Sequence, residues 1–82
     1  MRHWFAAVQI WQSGSTRRAI TSVEEAAVWL LERWPEEARG RRAYLVARKR
    51  CLAALDGSGT VAAARETFIR AAREAGILAE ER

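Results

Sequence analysis

The chain has 82 residues, of which 50% are hydrophobic and 29% are charged, so it is long enough for one domain and too apolar for a disordered segment. One cysteine and one histidine exclude an intrachain disulfide and leave too few ligands for a structural zinc site. The formal net charge of +4 is compatible with an acidic partner but selects none. We expect a single domain over residues 1–82, without cofactor or metal.

Two antiparallel strands are predicted first. Between residues 4 and 11 the even positions are apolar, which is typical of a strand with one buried face. These positions are Trp4, Ala6, Val8 and Ile10. Ser13–Thr16 supplies a glycine-containing turn, and residues 17–21 form a second, shorter strand. The resulting hairpin is marginal alone and needs helices to cover its apolar face.

The apolar start of the first strand predicts neither a signal peptide nor a membrane span. Gln9 interrupts it, and no small-x-small cleavage site follows. No segment approaches the roughly 18 apolar residues that cross a bilayer. We therefore expect a cytoplasmic protein with no membrane partner.

The first helix is predicted from Ser22 to Trp34. Ser22 and Glu25 have the S-x-x-E form of a capping box, and Pro35 ends the helix because the residue before a proline avoids the α region. A spacing of about 100° per residue gathers one apolar face. Its members are Val23, Ala26, Ala27, Leu30, Leu31 and Trp34. Trp29 lies off this face.

The second helix is predicted over Arg41–Asp56, with Gly57 as its left-handed cap. Its apolar arc contains Ala43, Tyr44, Ala47, Cys51, Ala54 and Leu55, and it widens towards Leu45 and Leu52. Arg48 falls inside this arc, where an arginine usually extends along the edge of the core or pairs with a buried carboxylate. We expect Cys51 to be a buried structural thiol.

The third helix is predicted over Val61–Ala75, between a Thr60 N-cap and Gly76. Its apolar stripe is Val61, Ala64, Phe68, Ala71, Ala72 and Ala75. The segment Ile77-Leu78 is expected to fold back onto the core or to extend the sheet. The order β-β-α-α-α predicts an α+β fold, in which an N-terminal hairpin of two or three antiparallel strands packs against three amphipathic helices.

Several segments, read in order, resemble a bacterial family known as domain of unknown function 982. They are Val8-Gln9-Ile10, Arg18-Ala19-Ile20, Glu25-Ala26-Ala27, Leu30-Leu31, Trp34-Pro35, residues 51–57, 64–69 and 71–77. The resemblance covers roughly positions 8 to 78, and it departs at the N-terminus, where Trp4 and Trp11 make the strand more aromatic. It implies a compact α+β fold and no site residues.

No catalytic residues are predicted. The acidic residues fall on predicted outer faces, in a loop or at the C-terminus, and the serines lie at turns or caps without a histidine partner. Gly57–Thr60 lacks the full pattern of a phosphate-binding loop. We therefore expect no enzyme activity.

Two surfaces are candidates for binding. Trp11 and Trp29 lie off the apolar faces of their elements, where they are either contacts for a protein partner or a second copy, or are covered by neighbouring helices. The hairpin edge is another route for a partner strand. We predict a non-catalytic accessory or regulatory module that binds protein or itself.

The alternative partner is nucleic acid. A basic cluster lies in a stretch of twelve residues, 39–50, that contains no acid. Its candidate contacts are Arg39, Arg41, Arg42, Lys49 and Arg50. Phosphate binding by such a cluster is strongly salt-dependent. The same residues are also compatible with a solvated helix face.

Overall fold

The computed structural model describes residues 3–79, and its elements follow the predicted order and confirm the α+β class. The strands are β1 (Trp4–Ser13) and β2 (Thr16–Ser22). The helices are α1 (Val23–Val28), continued by a π-helical segment (Trp29–Arg33), then α2 (Arg42–Asp56) and α3 (Val61–Ala75). A single 3₁₀ turn, Glu36–Ala38, lies between the π-helical segment and α2.

The two strands form a hairpin, and residues 77–79 pair with the other side of β1. β1 pairs antiparallel with β2 around Gly14, whose φ of 52° confirms the predicted turn. On the other side of β1, the amide of Trp11 donates to Ile77 O at 2.7 Å, and the amide of Ala79 donates to Gln9 O at 2.9 Å. Of the two alternatives for Ile77-Leu78, both are observed, since Leu78 bridges to Ile10 and both side chains pack against the core. β2 is the open edge of the hairpin.

The start of β1 departs from the predicted alternation. The strand register shifts between Trp4 and Val8. Such an irregularity changes which face of the sheet a side chain occupies. Val8 and Ile10 are buried as expected, but Trp4 is 61% exposed, and Phe5 packs against the core instead. The placement of Trp4 in the core was therefore wrong.

The turn from β2 into α1 is built by the predicted capping residues. The amide of Glu25 donates to Ser22 Oγ at 3.1 Å, which confirms the N-cap. The Glu25 carboxylate accepts from the amide of Thr21 at 3.1 Å and lies 3.1 Å from Arg18 Nη2. The carboxylate therefore ties α1 to β2 rather than closing a regular capping box.

The first helix does not continue as a regular α-helix to Trp34. From Trp29 to Arg33 it is π-helical, with a wider turn closed by i→i+5 hydrogen bonds. The 100° spacing used to assign its apolar face fails across this segment. Trp29 is buried at 5% exposure, whereas Leu31 is 46% exposed. Of the two alternatives left open for Trp29, coverage by its neighbours is observed, and the predicted burial of Leu31 was wrong.

The end of this helix is fixed by residues from the following segments. Trp34 is extended, with ψ of 144°, as expected before Pro35. Tyr44 Oη donates to Leu30 O at 2.9 Å, and Arg39 donates to the carbonyls of Leu31 and Trp34 at 3.3 and 3.4 Å. These bonds satisfy carbonyls that have no partner within a helix end.

The core lies where the three helices meet the sheet. Trp34 packs against Tyr44 at 6.1 Å and against Phe68 at 5.6 Å between ring centroids. Small side chains from α2 and α3 complete the contact. They are Ala47, Cys51, Ala54, Ala64, Ala71 and Ala72. The predicted caps are confirmed, since Gly57 and Gly76 have φ of 89° and 78° and Thr60 Oγ1 accepts from the amide of Ala63 at 3.0 Å.

The apolar arc of α2 is narrower than predicted. Leu45 is 49% exposed, Leu52 is 46% exposed, and Arg48 is exposed as well. The buried arc is centred on Ala47, Cys51 and Ala54, so that Arg48 lies at its margin. The prediction that Arg48 projects into the middle of the apolar face was wrong, and no buried carboxylate is required to pair it.

We expect Tyr44→Phe to lower the free energy of unfolding by about 1–2 kcal/mol, because it leaves the buried carbonyl of Leu30 without its donor. Urea denaturation measures the loss, and amide exchange across residues 29–34 reports whether the helix end opens. An unchanged unfolding midpoint would contradict this assignment of the Leu30 carbonyl.

Burial raises the pKa of the Cys51 thiol to about 11 from an ordinary value of 9.0. The folded protein therefore holds this proton more tightly, and its contribution to stability is present below pH 9 and lost between pH 9 and 11. We expect Cys51→Ala to lower stability at neutral pH but to flatten this part of the profile. Chemical denaturation at several pH values measures the free energy of unfolding of both proteins. If the two free energies changed in parallel between pH 9 and 11, the assignment would be contradicted.

Candidate protein-interaction site

A groove of about 450 Å³ opens between β2 and the first helix. Its apolar wall is formed by Trp4, Val28 and Trp29, and we call it the Trp4 groove. The charged side chains at its rim are Arg18, Glu24, Glu25 and Arg33. The groove combines the start of β1 with the two segments of the first helix, which the hairpin and the Ser22 cap hold together.

The apolar wall of the Trp4 groove contains two large hydrophobic side chains that are exposed to solvent. Trp4 is 61% exposed and Val28 is 45% exposed. Trp29, the predicted contact residue, is buried and reaches the groove only with the small part of its ring that stays accessible. The guanidinium of Arg33 lies 5.6 Å from the centroid of the Trp29 ring. The exposed aromatic side chain of the groove is therefore Trp4.

The charges at the rim of the Trp4 groove largely pair with one another. Arg18 Nη2 lies 3.1 Å from a carboxylate oxygen of Glu25, and His3 Nδ1 lies 2.7 Å from Glu24 Oε2. Arg33 lies over Trp29. The groove consequently offers a ligand an apolar wall inside a polar rim, without a net excess of one charge among these four rim residues.

Trp11 lies on the sheet face away from the groove. It is half-buried, and it stands opposite Arg17 in the strand pairing. The Arg17 guanidinium lies 5.3 Å from its ring centroid, which is within the range of a cation–π contact. Trp11 therefore remains a candidate protein contact, but part of its ring is already covered by Arg17.

The basic cluster is divided by the fold. Arg41 is the N-cap of α2, and Arg42, Lys49 and Arg50 are exposed on the helix. Arg42 and Lys49 are seven residues apart and share one side of α2. Arg39 instead donates to carbonyls at the end of the first helix. Four of the five predicted nucleic-acid contacts are thus accessible, and the fifth has a structural role.

Sequence reasoning missed the exposure of Trp4, Leu45 and Leu52. Nothing in the sequence marks the register shift that turns Trp4 outward, since neither glycine nor proline lies between residues 4 and 8. The two leucines border a buried arc, and a helical wheel alone does not show where the neighbouring helix stops. Their exposure depends on packing distances that are set by tertiary structure.

The titratable groups with displaced pKa values have structural causes. Asp56 accepts from the hydroxyl of Ser58 at 2.7 Å and from its amide at 2.9 Å, and these bonds lower the pKa of Asp56 at the end of α2.

Within residues 3–79, no group of three or more His, Cys, Asp or Glu side chains is arranged to hold a metal ion. None of the described helices is long and apolar enough to cross a membrane.

Comparison with known proteins identifies a family. A search of curated proteins and a search of solved structures each found no similar protein. A scan against protein families matches residues 7–79 to the family described as "Protein of unknown function (DUF982)". This match covers β1 from residue 7 onward, all of β2 and all three helices, so the chain belongs to that family.

Proposed function

We propose that the protein is a non-catalytic interaction module, an accessory or regulatory domain that binds a protein partner or a second copy of itself through the Trp4 groove. The observation that carries the proposal is the 61% exposure of Trp4 beside the 45% exposure of Val28 in one groove. Exposure of adjacent apolar side chains to water is unfavourable in free energy, and a bound partner that covers them removes this penalty.

The arrangement around Trp4 supports this proposal. Tryptophan and arginine are enriched among the residues that dominate binding energy at protein interfaces. In the groove, Trp4 stands inside a charged rim that includes Arg18, which pairs with Glu25, and Arg33, which lies over Trp29. Such a rim excludes water around an inserted apolar side chain and gives hydrogen-bonding specificity.

The non-catalytic part of the proposal is supported by the roles of the reactive groups. The thiol of Cys51 is buried and its pKa is raised to about 11, which keeps it protonated at neutral pH. His3 and Glu24 bond each other, and Glu25 holds the β2–α1 turn. The single unpaired cysteine is also compatible with the reducing cytoplasm, which we propose as the location.

We expect Trp4→Ala to abolish association through the groove while changing the free energy of unfolding by less than about 1 kcal/mol, because the side chain is mostly exposed. Sedimentation equilibrium over a range of protein concentrations tests self-association. Affinity capture with the wild-type and variant proteins in parallel tests a heterologous partner.

Trp11→Ala is the matched control, since it removes the same type of side chain from the other face of the sheet. Association that is lost in Trp4→Ala and retained in Trp11→Ala supports the groove. The reverse pattern assigns the contact to the sheet face. Association that neither variant alters contradicts the proposal that an aromatic surface binds the partner.

Nucleic acid is the second candidate partner, supported by the exposed cations of α2. If Arg42 and Lys49 contact phosphates, binding of a short duplex should weaken steeply between about 50 and 300 mM salt, with a slope of about −0.9 per phosphate contact. Arg42→Glu/Lys49→Glu should abolish it. Fluorescence anisotropy measures both, and duplex binding that is absent at low salt rules this candidate out.

A further inference from the structure

One side of α2 carries exposed apolar and basic side chains together. This α2 outer face consists of Arg41, Arg42, Leu45, Arg48, Lys49 and Leu52. It shares no residue with the Trp4 groove. The two leucines are 49% and 46% exposed, although leucine is not required there for the buried arc of the helix.

The spacing of these residues gives the face a defined pattern. Leu45 and Leu52 are two helical turns apart, or about 10 Å along the axis. Arg48 and Lys49 lie between them, and Arg41 and Arg42 lie one turn before Leu45. The accessible surface therefore presents two apolar side chains with cationic side chains between them.

The charge of this face is of one sign over most of its length. No acidic residue occurs between Arg39 and Leu55. The cations at its start coincide with the N-terminal end of α2, whose backbone dipole is also positive. The first acid, Asp56, lies at the opposite end and is bonded by Ser58. Glu74 of α3 lines a groove with Arg42 at the start of the face. An anionic partner is therefore favoured mainly by Arg41, Arg48 and Lys49.

We propose that the α2 outer face binds an acidic amphipathic helix of a partner protein, with carboxylates that pair with the cations and apolar side chains that cover Leu45 and Leu52. Recognition of one amphipathic helix by an exposed apolar and charged face is a recurrent mode of peptide binding. A second copy of this chain does not fit through the same face, because the same cations would face one another.

The leucines distinguish this partner from nucleic acid. A phosphate backbone provides charge for Arg48 and Lys49 but no apolar surface for the leucines between and beside them. A complex with DNA or RNA backbone would leave that apolar surface in water or bury it against charged groups. An acidic amphipathic helix satisfies both kinds of side chain at once, so it uses the whole face.

The test uses the full chain and three synthetic probes at about 50 mM salt. The first probe is a designed helical peptide with leucines two turns apart, flanked by glutamates. The second is a peptide of the same composition with scrambled order, and the third is a short DNA duplex. We expect the designed peptide to bind with a Kd tighter than roughly 100 μM and the scrambled peptide to bind at least about tenfold more weakly.

Two variants separate the apolar and ionic contributions. Leu45→Ala/Leu52→Ala should weaken binding of the designed peptide by about tenfold without affecting the duplex, since both side chains are half exposed and alanine retains helix propensity. Arg48→Gln/Lys49→Gln should weaken it similarly. The matched control Arg50→Gln/Arg73→Gln makes the same change in charge at exposed positions off this face and should have little effect.

Specific outcomes overturn the proposal. They are a Kd weaker than roughly 100 μM for the designed peptide, equal binding of the designed and scrambled peptides, or leucine variants that bind as tightly as the wild type. Duplex binding tighter than peptide binding assigns the face to nucleic acid instead. Because Trp4→Ala leaves this face intact, failure here is distinguishable from failure of the groove.

Discussion

The contact of Trp34 with Tyr44 and Phe68 is the one on which the helical layer depends. A single side chain at the end of the first helix reaches both α2 and α3, with ring centroids 6.1 and 5.6 Å away. Pro35 holds Trp34 extended, and Arg39 bonds the carbonyls released there. Among the described residues, the buried Trp34 Nε1 is the side-chain atom left without a hydrogen-bond partner, a cost of about 1–3 kcal/mol that the packing must offset.

The π-helical segment before Trp34 contains both a buried and an exposed large apolar side chain. Trp29 is 5% exposed and Leu31 is 46% exposed. With Trp29 buried, the exposed aromatic side chain on this side of the molecule is Trp4, which the register shift in β1 turns outward. The Trp4 groove thus depends on an irregularity in the strand.

The features predicted correctly from the sequence are those determined by local chemistry. Ser22 and Thr60 cap helices because their hydroxyls bond nearby amides, and Gly57 and Gly76 end helices because they adopt positive φ. The faces of regular segments follow their periodicity. The failures lie where periodicity is broken or where a tertiary neighbour decides exposure, as for Trp4. The candidate groove could not be predicted, because it exists only through those breaks.

Small residues fill the interface between α2 and α3, and large apolar side chains lie on the other side of α2. Alanines such as Ala47 and Ala64 fill that interface. The turn between α2 and α3 runs so close to α2 that a Cβ at Gly59 would lie 2.9 Å from the Cβ of Ala53. An interface of this kind has no room for leucine, yet it does not require leucine on the opposite side of α2. Alanine would serve the helix equally well at Leu45 and Leu52. Folding therefore accounts for the alanines but not for the exposed leucines, which the proposed acidic helix would cover.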